Sequence, residues 1–459
     1  MKNMQMGLAG SAAGEEQPIF TNRALVSLMF PLIIEQLLAV LVGMIDTLMV
    51  SVIGETAVSG VSLVDSVNFL LIQVLAALAT GGCVVCSQFI GAGDPKRARQ
   101  ASGQLLTITA FGASMLTILA LIGDRAFLCL IFGQTEKAVM DNAVVYFRYT
   151  ALSYPFLGVY NSCAALFRSM GNSKISMYTS LIMNGMNIAG NAICIFGLGM
   201  GVEGVAIPTV ISRMFAAVIM VILLHKPKNT LRVSSLSDLK PRFELIRQIL
   251  GVGIPNGLEN GMFQFGKVIL SGLVSTLGTA SIAGYAVAHT IVTFMYLPGS
   301  ALGIGLITVA GQCIGAKAYH QARMYTRKIV LVDYGFLAVI CTIIVLARSV
   351  VVGWYHLSPE ATVIAENMAV QHAVMMLIWP IAFVSCNTLR ASGDARFTMI
   401  LAVTVMWIFR VGGAYFFVYV LKTGVYGIWY AMTLDWIVRN IGLIWRFRGY
   451  EKRCQAKFG

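Results

Sequence analysis
Apolar stretches long enough to cross a bilayer follow one another along the whole chain. Nothing else in the sequence restricts the fold as severely. A span needs about 20 apolar residues, and inside lipid its backbone polar groups have to be paired within the protein, as they are in a helix. Reading between charged residues and Gly/Pro punctuation gives twelve candidates, over 24–52, 60–90, 99–122, 140–167, 175–197, 204–225, 244–276, 281–313, 325–347, 362–389, 397–421 and 425–446. Several exceed the minimum, so tilted or kinked helices are expected. The expected fold class is an all-α integral membrane protein with twelve transmembrane helices. Only 12% of the 459 residues are charged and 58% are hydrophobic, whereas a soluble chain carries about a quarter charged residues. Mean hydropathy is +0.79. A soluble globular enzyme and a disordered chain are both excluded. Residues 1–22 are polar and have no apolar core, so no cleavable signal is expected and the first helix should stay as a span.

The net charge of +13 points to nucleic acid only if the charges are spread over a soluble surface. They are not. With the N-terminus on the inner side, 25 of the 33 Lys and Arg fall in inner segments, including Arg439 and the tail beyond it. Only Arg125, Lys137, Arg348 and Lys422 fall outside, and Arg148, Arg213, Lys267 and Arg410 fall within spans. This asymmetry is the positive-inside pattern. It places both termini in the cytoplasm and accounts for the charge without nucleic acid.

A shift of 224 residues superposes the sequence on itself. Pro31 meets Pro255, Glu35 meets Glu259, Gly54 meets Gly278, and Gln88-Phe-Ile-Gly-Ala92 meets Gln312-Cys-Ile-Gly-Ala316. Over 31–99 there are 17 identities in 69 positions, where chance gives about 7%. Later segments match with small changes of offset, Arg168-Ser-Met-Gly with Arg390-Ala-Ser-Gly and Gly201-Val-Glu-Gly with Gly424-Val-Tyr-Gly. Six spans form the unit, so the repeat is parallel. The expected organisation is an N-terminal tail 1–23, an N-lobe 24–225, a linker 226–242, a C-lobe 243–447 and a C-terminal tail 448–459. Two such bundles around a cleft near the bilayer midplane are a transporter plan. A channel would more naturally be an oligomer around an axial filter.

Ionisable residues inside spans are functional candidates because burying their charge is costly. Glu35 and Asp46 are 11 residues apart, which puts them on nearly one helix face, about 16 Å apart in rise. Glu35 and Glu259 each follow a proline, Pro31 and Pro255, by four residues. Each proline frees a carbonyl one turn back and is expected to kink its helix. Lys267 is a candidate partner for Glu259, and Arg410 and Asp435 for each other. His289, beside Tyr285, is the repeat mate of Asp65 and titrates near neutral pH. Asn187 and Asn191 share a face one turn apart and offer amide oxygens to a cation or hydrogen bonds to a neighbouring helix. Cys83 and Cys86 form a CxxC without a second pair or a His cluster, so they are expected to be small buried residues. No metal site or cofactor is expected, and the five scattered His give no catalytic cluster.

In their order, Gly43-Met-Ile-Asp46-Thr-Leu-Met, the two Gln-x-Ile-Gly-Ala segments, Arg168-Ser-Met-Gly-Asn, Ala288-His289-Thr-Ile and Arg390-Ala-Ser-Gly-Asp resemble the multidrug and toxic compound extrusion (MATE) transporters, with the DinF-related bacterial branch most similar. The likeness covers nearly the whole chain. It implies two lobes forming a V-shaped central cavity, a monomer in the bacterial inner membrane surrounded by lipid, and export of organic cations or other amphipathic compounds driven by H⁺ or Na⁺. It assigns cation coupling to Asp46, with Asn187 and Thr209 beside it. The family's usual Asp four residues after that Asn is Asn191 here, so one acidic ligand is missing. Glu35 and Glu259 are carried as coupling and substrate candidates, with Tyr285 and His289 as substrate candidates. The rival expectation is a flippase for a lipid or lipid-linked oligosaccharide. The small number of in-span cations disfavours it.

Overall fold
The computed structural model describes residues 17–133, 135–233 and 236–458. Most of the expected N-terminal tail therefore lies outside the described residues. Among those described, the regular structure is helical throughout. The N-lobe consists of α1 (Asn22–Ser51), α2 (Glu55–Gly91), α3 (Pro95–Ile122), α4 (Lys137–Leu152 with Tyr154–Ser169), α5 (Ser173–Gly197) and α6 (Glu203–Leu224). The C-lobe consists of α7 (Phe243–Ser275), α8 (Thr279–Gly315), α9 (Tyr319–Gly353), α10 (Pro359–Met375 with Trp379–Ala391), α11 (Ala395–Val420) and α12 (Tyr426–Arg448). Every sequence-derived span falls on one of these. Eight are long and apolar enough to cross a membrane on their own, and bent α10 makes a ninth. The other three, α4, α7 and α12, fall short for local reasons. α4 is interrupted at Ser153, and in α7 and α12 charged and amide side chains such as Asn256, Glu259, Asn260 and Lys267, or Asp435, Arg439 and Asn440, lower the hydropathy.

The interruptions have identifiable causes. Pro155 cannot donate to the Ala151 carbonyl, and Thr117 Oγ1 donates to it instead at 2.8 Å. α10 bends by 64° at the break before Trp379-Pro380. Pro31 and Pro255 are buried within α1 and α7 and interrupt neither helix. Thr21, Asp94 and Ser358 cap α1, α3 and α10 through side-chain oxygens. The turns repeat as well. Gly54 and Gly278, 224 positions apart, have φ of 133° and 91°, backbone that favours glycine.

Each lobe lends its first helix to the other. Leu25, Leu28 and Met29 of α1 join the C-lobe core, and Ile249 of α7 joins an N-lobe core. The linker is not a free loop. Ser102 Oγ donates to the Leu231 carbonyl at 3.1 Å, and Gln104 holds the Asp238 and Lys240 carbonyls at 3.0 and 2.8 Å. The chain end is also docked, as helix Tyr450–Phe458 with Tyr450 and Cys454 buried. Lys457 Nζ in that helix donates to the Ser392 carbonyl.

The lobes meet most tightly where the linker-side ends of α2 and α8 cross. A Cβ on Gly91 would run into the Gln312 carbonyl, and one on Gly315 into the Gln88 carbonyl. Gln88 Nε2 donates to the Ala391 carbonyl at 2.6 Å, and Gln312 Nε2 donates to the Ser169 carbonyl at 2.7 Å. The repeated Gln-x-Ile-Gly-Ala motif thus closes the lobes against each other at the linker face.

Candidate transport sites in the two lobes
The N-lobe site assembles around α1, α2, α4, α5 and α6. Asn191 Nδ2 donates to Asp46 Oδ1 at 2.9 Å, and Asn187 Nδ2 donates to Thr209 Oγ1 at 3.0 Å. Both Asn are buried. The Asn191 Oδ1 atom has no hydrogen-bond partner among the described residues. A π turn, Ile193–Gly197, follows immediately; such turns are frequent at functional sites. Asp46, Asn187, Asn191 and Thr209, four of the expected coupling residues, therefore come together.

The sequence reading missed the rest of this site. Asp65 on α2, noticed only as the mate of His289, accepts from Asn68 Nδ2 at 3.5 Å. Tyr154 Oη donates to Asn68 Oδ1 at 2.6 Å. Arg213 on α6 donates to Ser153 Oγ at 2.6 Å, at the break in α4. The acid absent at position 191 is thus replaced in number by Asp65, from a different helix. In-span charge was the signal available for Asp65 and Arg213.

Glu35 and Glu259 lie elsewhere. Glu35 Oε2 accepts from Ser176 Oγ at 2.9 Å, and its other oxygen is 3.8 Å from Arg168 Nη1. Glu259 is 2.8 Å from Arg390 Nη2. The two pairs are repeat mates at the linker-side ends of α4 and α10. Glu35 does not share a site with Asp46: Ser176 and Asn191, their respective partners on α5, are 15 residues apart. The expected pairing of Glu259 with Lys267 is corrected to Arg390.

The C-lobe interior is built on aromatic rings and cations. Arg410, in the π turn Met406–Gly412 of α11, is 2.9 Å from Asp435 Oδ2, as expected for that pair. Arg439 is 3.4 Å from Asp435 Oδ1. Its assignment to the inner-side tail is corrected: it is 4% exposed inside α12, held there by a shared carboxylate. Lys267 Nζ and the Arg410 guanidinium lie 5.4 and 4.8 Å from the centre of one ring, Phe263. Tyr285 is 6.1 Å from His289 and 6.4 Å from Trp429 between ring centres. His372, 2% exposed, sets its edge against Trp429 and Trp436.

Comparison with known proteins follows this geometry. The MatE family profile matches residues 31–193 and again 255–416, once in each lobe. The uncharacterized transporter YisQ of Bacillus subtilis is 27% identical over 437 residues, covering 94% of this chain and 95% of its own. The probable multidrug resistance protein NorM of Thermotoga maritima is 24% identical, with 94% of each chain covered. The multidrug export protein MepA of Staphylococcus haemolyticus is 25% identical, with 85% of each covered. Among solved structures, an outward-facing multidrug resistance MATE transporter superposes with a TM-score of 0.88 at 21% identity, covering 94% of this chain and 96% of that one. A MATE protein in a bent conformation gives 0.87 at 21% identity, covering 95% and 96%. With one profile met twice in a paired helical bundle, and membrane transporters aligned along nearly its full length, the chain belongs to the MATE family of multidrug and toxic compound extrusion transporters.

Proposed function
We propose that this protein exports amphipathic small molecules from the cytoplasm in exchange for inward-moving H⁺ or Na⁺, with the coupling ion held in the N-lobe around Asp46. The observation that carries the reading is the Asp46–Asn191–Asn187–Thr209 arrangement, which ends in an unpartnered buried amide oxygen. A carboxylate, amide oxygens and a hydroxyl are the hard oxygen donors that Na⁺ prefers over nitrogen or sulfur, as other hard cations do. A proton on Asp46 would serve the same charge-neutralising purpose. Either ion removes the negative charge on Asp46 that accepts from Asn191 and so changes what holds α1 against α5. Alternating access then consists of parting the Gln88–Gln312 seam on the cytoplasmic face to admit substrate and closing it before release on the other side. Antiport requires that ion and substrate disfavour each other's binding by equal factors.

The test is gradient-driven flux. Purified protein in liposomes holding a pH gradient, and separately a Na⁺ gradient, would be challenged with cationic and anionic dyes. Dye-dependent collapse of one gradient is expected. Asp46→Asn should lower the coupled rate by about tenfold or more while the protein stays monodisperse. A folded Asp46→Asn protein that transports at the wild-type rate under the same gradient would sink the assignment.

A further inference from the structure
The two lobes repeat one frame but carry opposite charge. At repeat-equivalent positions Asp46 faces Leu270, Asp65 faces His289 and Gly43 faces Lys267. In the N-lobe the site holds two carboxylates, Asp46 and Asp65, and one guanidinium, Arg213. In the C-lobe the proportion is reversed. Asp435 is fully buried and shared between Arg410 and Arg439, so one carboxylate serves two guanidiniums and a positive charge is left over. Lys267 adds a second charge beside the same Phe263 ring, with aromatic π density as its neighbour rather than an acid.

Hydrogen-bond capacity is unbalanced in the same direction. Arg410 Nε, Trp407 Nε1, Trp436 Nε1 and the one ring N–H of a neutral His372 have no acceptor among the described residues. Buried donors are normally paired, and buried cations are normally matched by an acid or a ligand. Around Phe263 the protein supplies donors, positive charge and flat rings, while the buried carboxylate and amide oxygens of this lobe without a partner among the described residues, Asp333 Oδ1 and Oδ2 and Asn440 Oδ1, lie on α9 and α12. The group that completes such a site is acceptor-rich, negatively charged and attached to an aromatic body. Arg and Lys recognise carboxylates and other oxyanions through charge-assisted hydrogen bonds, and rings at the distances seen for Tyr285 and Trp429 favour stacking with an aromatic guest.

We propose that the C-lobe binds the acidic group of an anionic or zwitterionic aromatic substrate, a carboxylate or sulfonate, between Lys267 and Arg410. This narrows the substrate class of the exporter proposed above and rests on that reading for the direction of transport, not for binding. The N-lobe then carries the coupling cation and the C-lobe the substrate anion.

The experiment is equilibrium binding to the full chain in lipid nanodiscs, with no gradient, read by fluorescence anisotropy. The probes are two xanthenes of opposite charge, carboxyfluorescein and tetramethylrhodamine methyl ester. Carboxyfluorescein should bind more tightly by about tenfold or more, the scale of one charge-assisted hydrogen bond. Lys267→Gln should remove most of that preference, Lys267→Arg should keep it, and Lys267→Glu should invert it. If Lys267→Glu does not fold, the Gln and Arg variants decide. Equal or tighter binding of the cationic xanthene, or wild-type carboxyfluorescein affinity in Lys267→Gln, overturns the proposal. Carboxyfluorescein binding without ion-coupled flux in liposomes would sink the antiport reading and leave this one standing. Coupled flux of cations with no binding of the anion would do the reverse.

Discussion
Glu35–Arg168 and Glu259–Arg390 are the same ion pair built twice, and every side chain in them is at most 16% exposed. A lone guanidinium at such depth is expensive, whereas the neutral pair is not. Glu259→Gln should therefore destabilise the protein by about 3 kcal/mol by leaving Arg390 without its charge. The double variant Glu259→Gln/Arg390→Gln should recover most of that loss, measured as the midpoint of thermal unfolding in detergent. The same double variant separates the roles open to Glu259. If the pair is structural, the stable double variant transports; if Glu259 carries the coupling ion, it stays inactive however stable it is. The glutamates were legible in the sequence because an acid inside an apolar run stands out. Their partners were not: Arg390 is 131 residues from Glu259, and spacing along one helix pointed to Lys267 instead. Local spacing sees one helix at a time, whereas these charges are matched across helices.

Helix ends were legible to within a few residues, because capping side chains, Gly turns and charged punctuation sit at them. Irregularities inside helices were poorly legible: the prolines expected to kink, Pro31 and Pro255, interrupt neither helix, and the single span expected over 140–167 is broken at Ser153. The break in α4 is written in Pro155, but the π turn that carries Arg410 leaves no trace in residue spacing. The crossing of α2 and α8 is the element on which gating depends. Gly91 and Gly315 let backbone meet backbone there, and the flanking glutamines bond carbonyls at the ends of α10 and α4. A methyl group at both glycines cannot be absorbed by a side-chain shift, since the atoms it meets are backbone. Gly91→Ala/Gly315→Ala should thus weaken the closed linker face and shift the population toward the open form. Spin labels at Lys96 and His320, both exposed on that face, should report a longer distance distribution than in the parent. An unchanged distribution would mean that the seam is held by something other than this close approach.

At the scale of the molecule, the repeat made the architecture legible while hiding the division of labour. Aligning the halves predicts two equal bundles, and two bundles are what the chain forms. It also suggested paired sites at Glu35 and Glu259, yet the lobes differ most where the alignment loses identity, at Asp46, Asp65 and Lys267. Half of the N-lobe site followed from the span 1 aspartate and the α5 asparagines; Asp65 and Arg213 required the packing of α2 and α6. Orientation is the remaining whole-molecule property, and it rests on charge. Lys96 and Lys228 sit on the face that carries the linker, whereas Lys137, the first residue of α4, and Lys422, in the loop after α11, lie at the opposite ends of the helices. Basic loops are retained on the cytoplasmic side during insertion, so the linker face should point inward. In a variant with its nine cysteines replaced, single cysteines at these four lysines can be probed with a membrane-impermeant maleimide on intact cells. Lys137→Cys and Lys422→Cys should label at once, and Lys96→Cys and Lys228→Cys only after permeabilisation. The opposite pattern would turn the molecule over. The Gln88–Gln312 seam would then close the outer face, and the exchange proposed above would run as uptake.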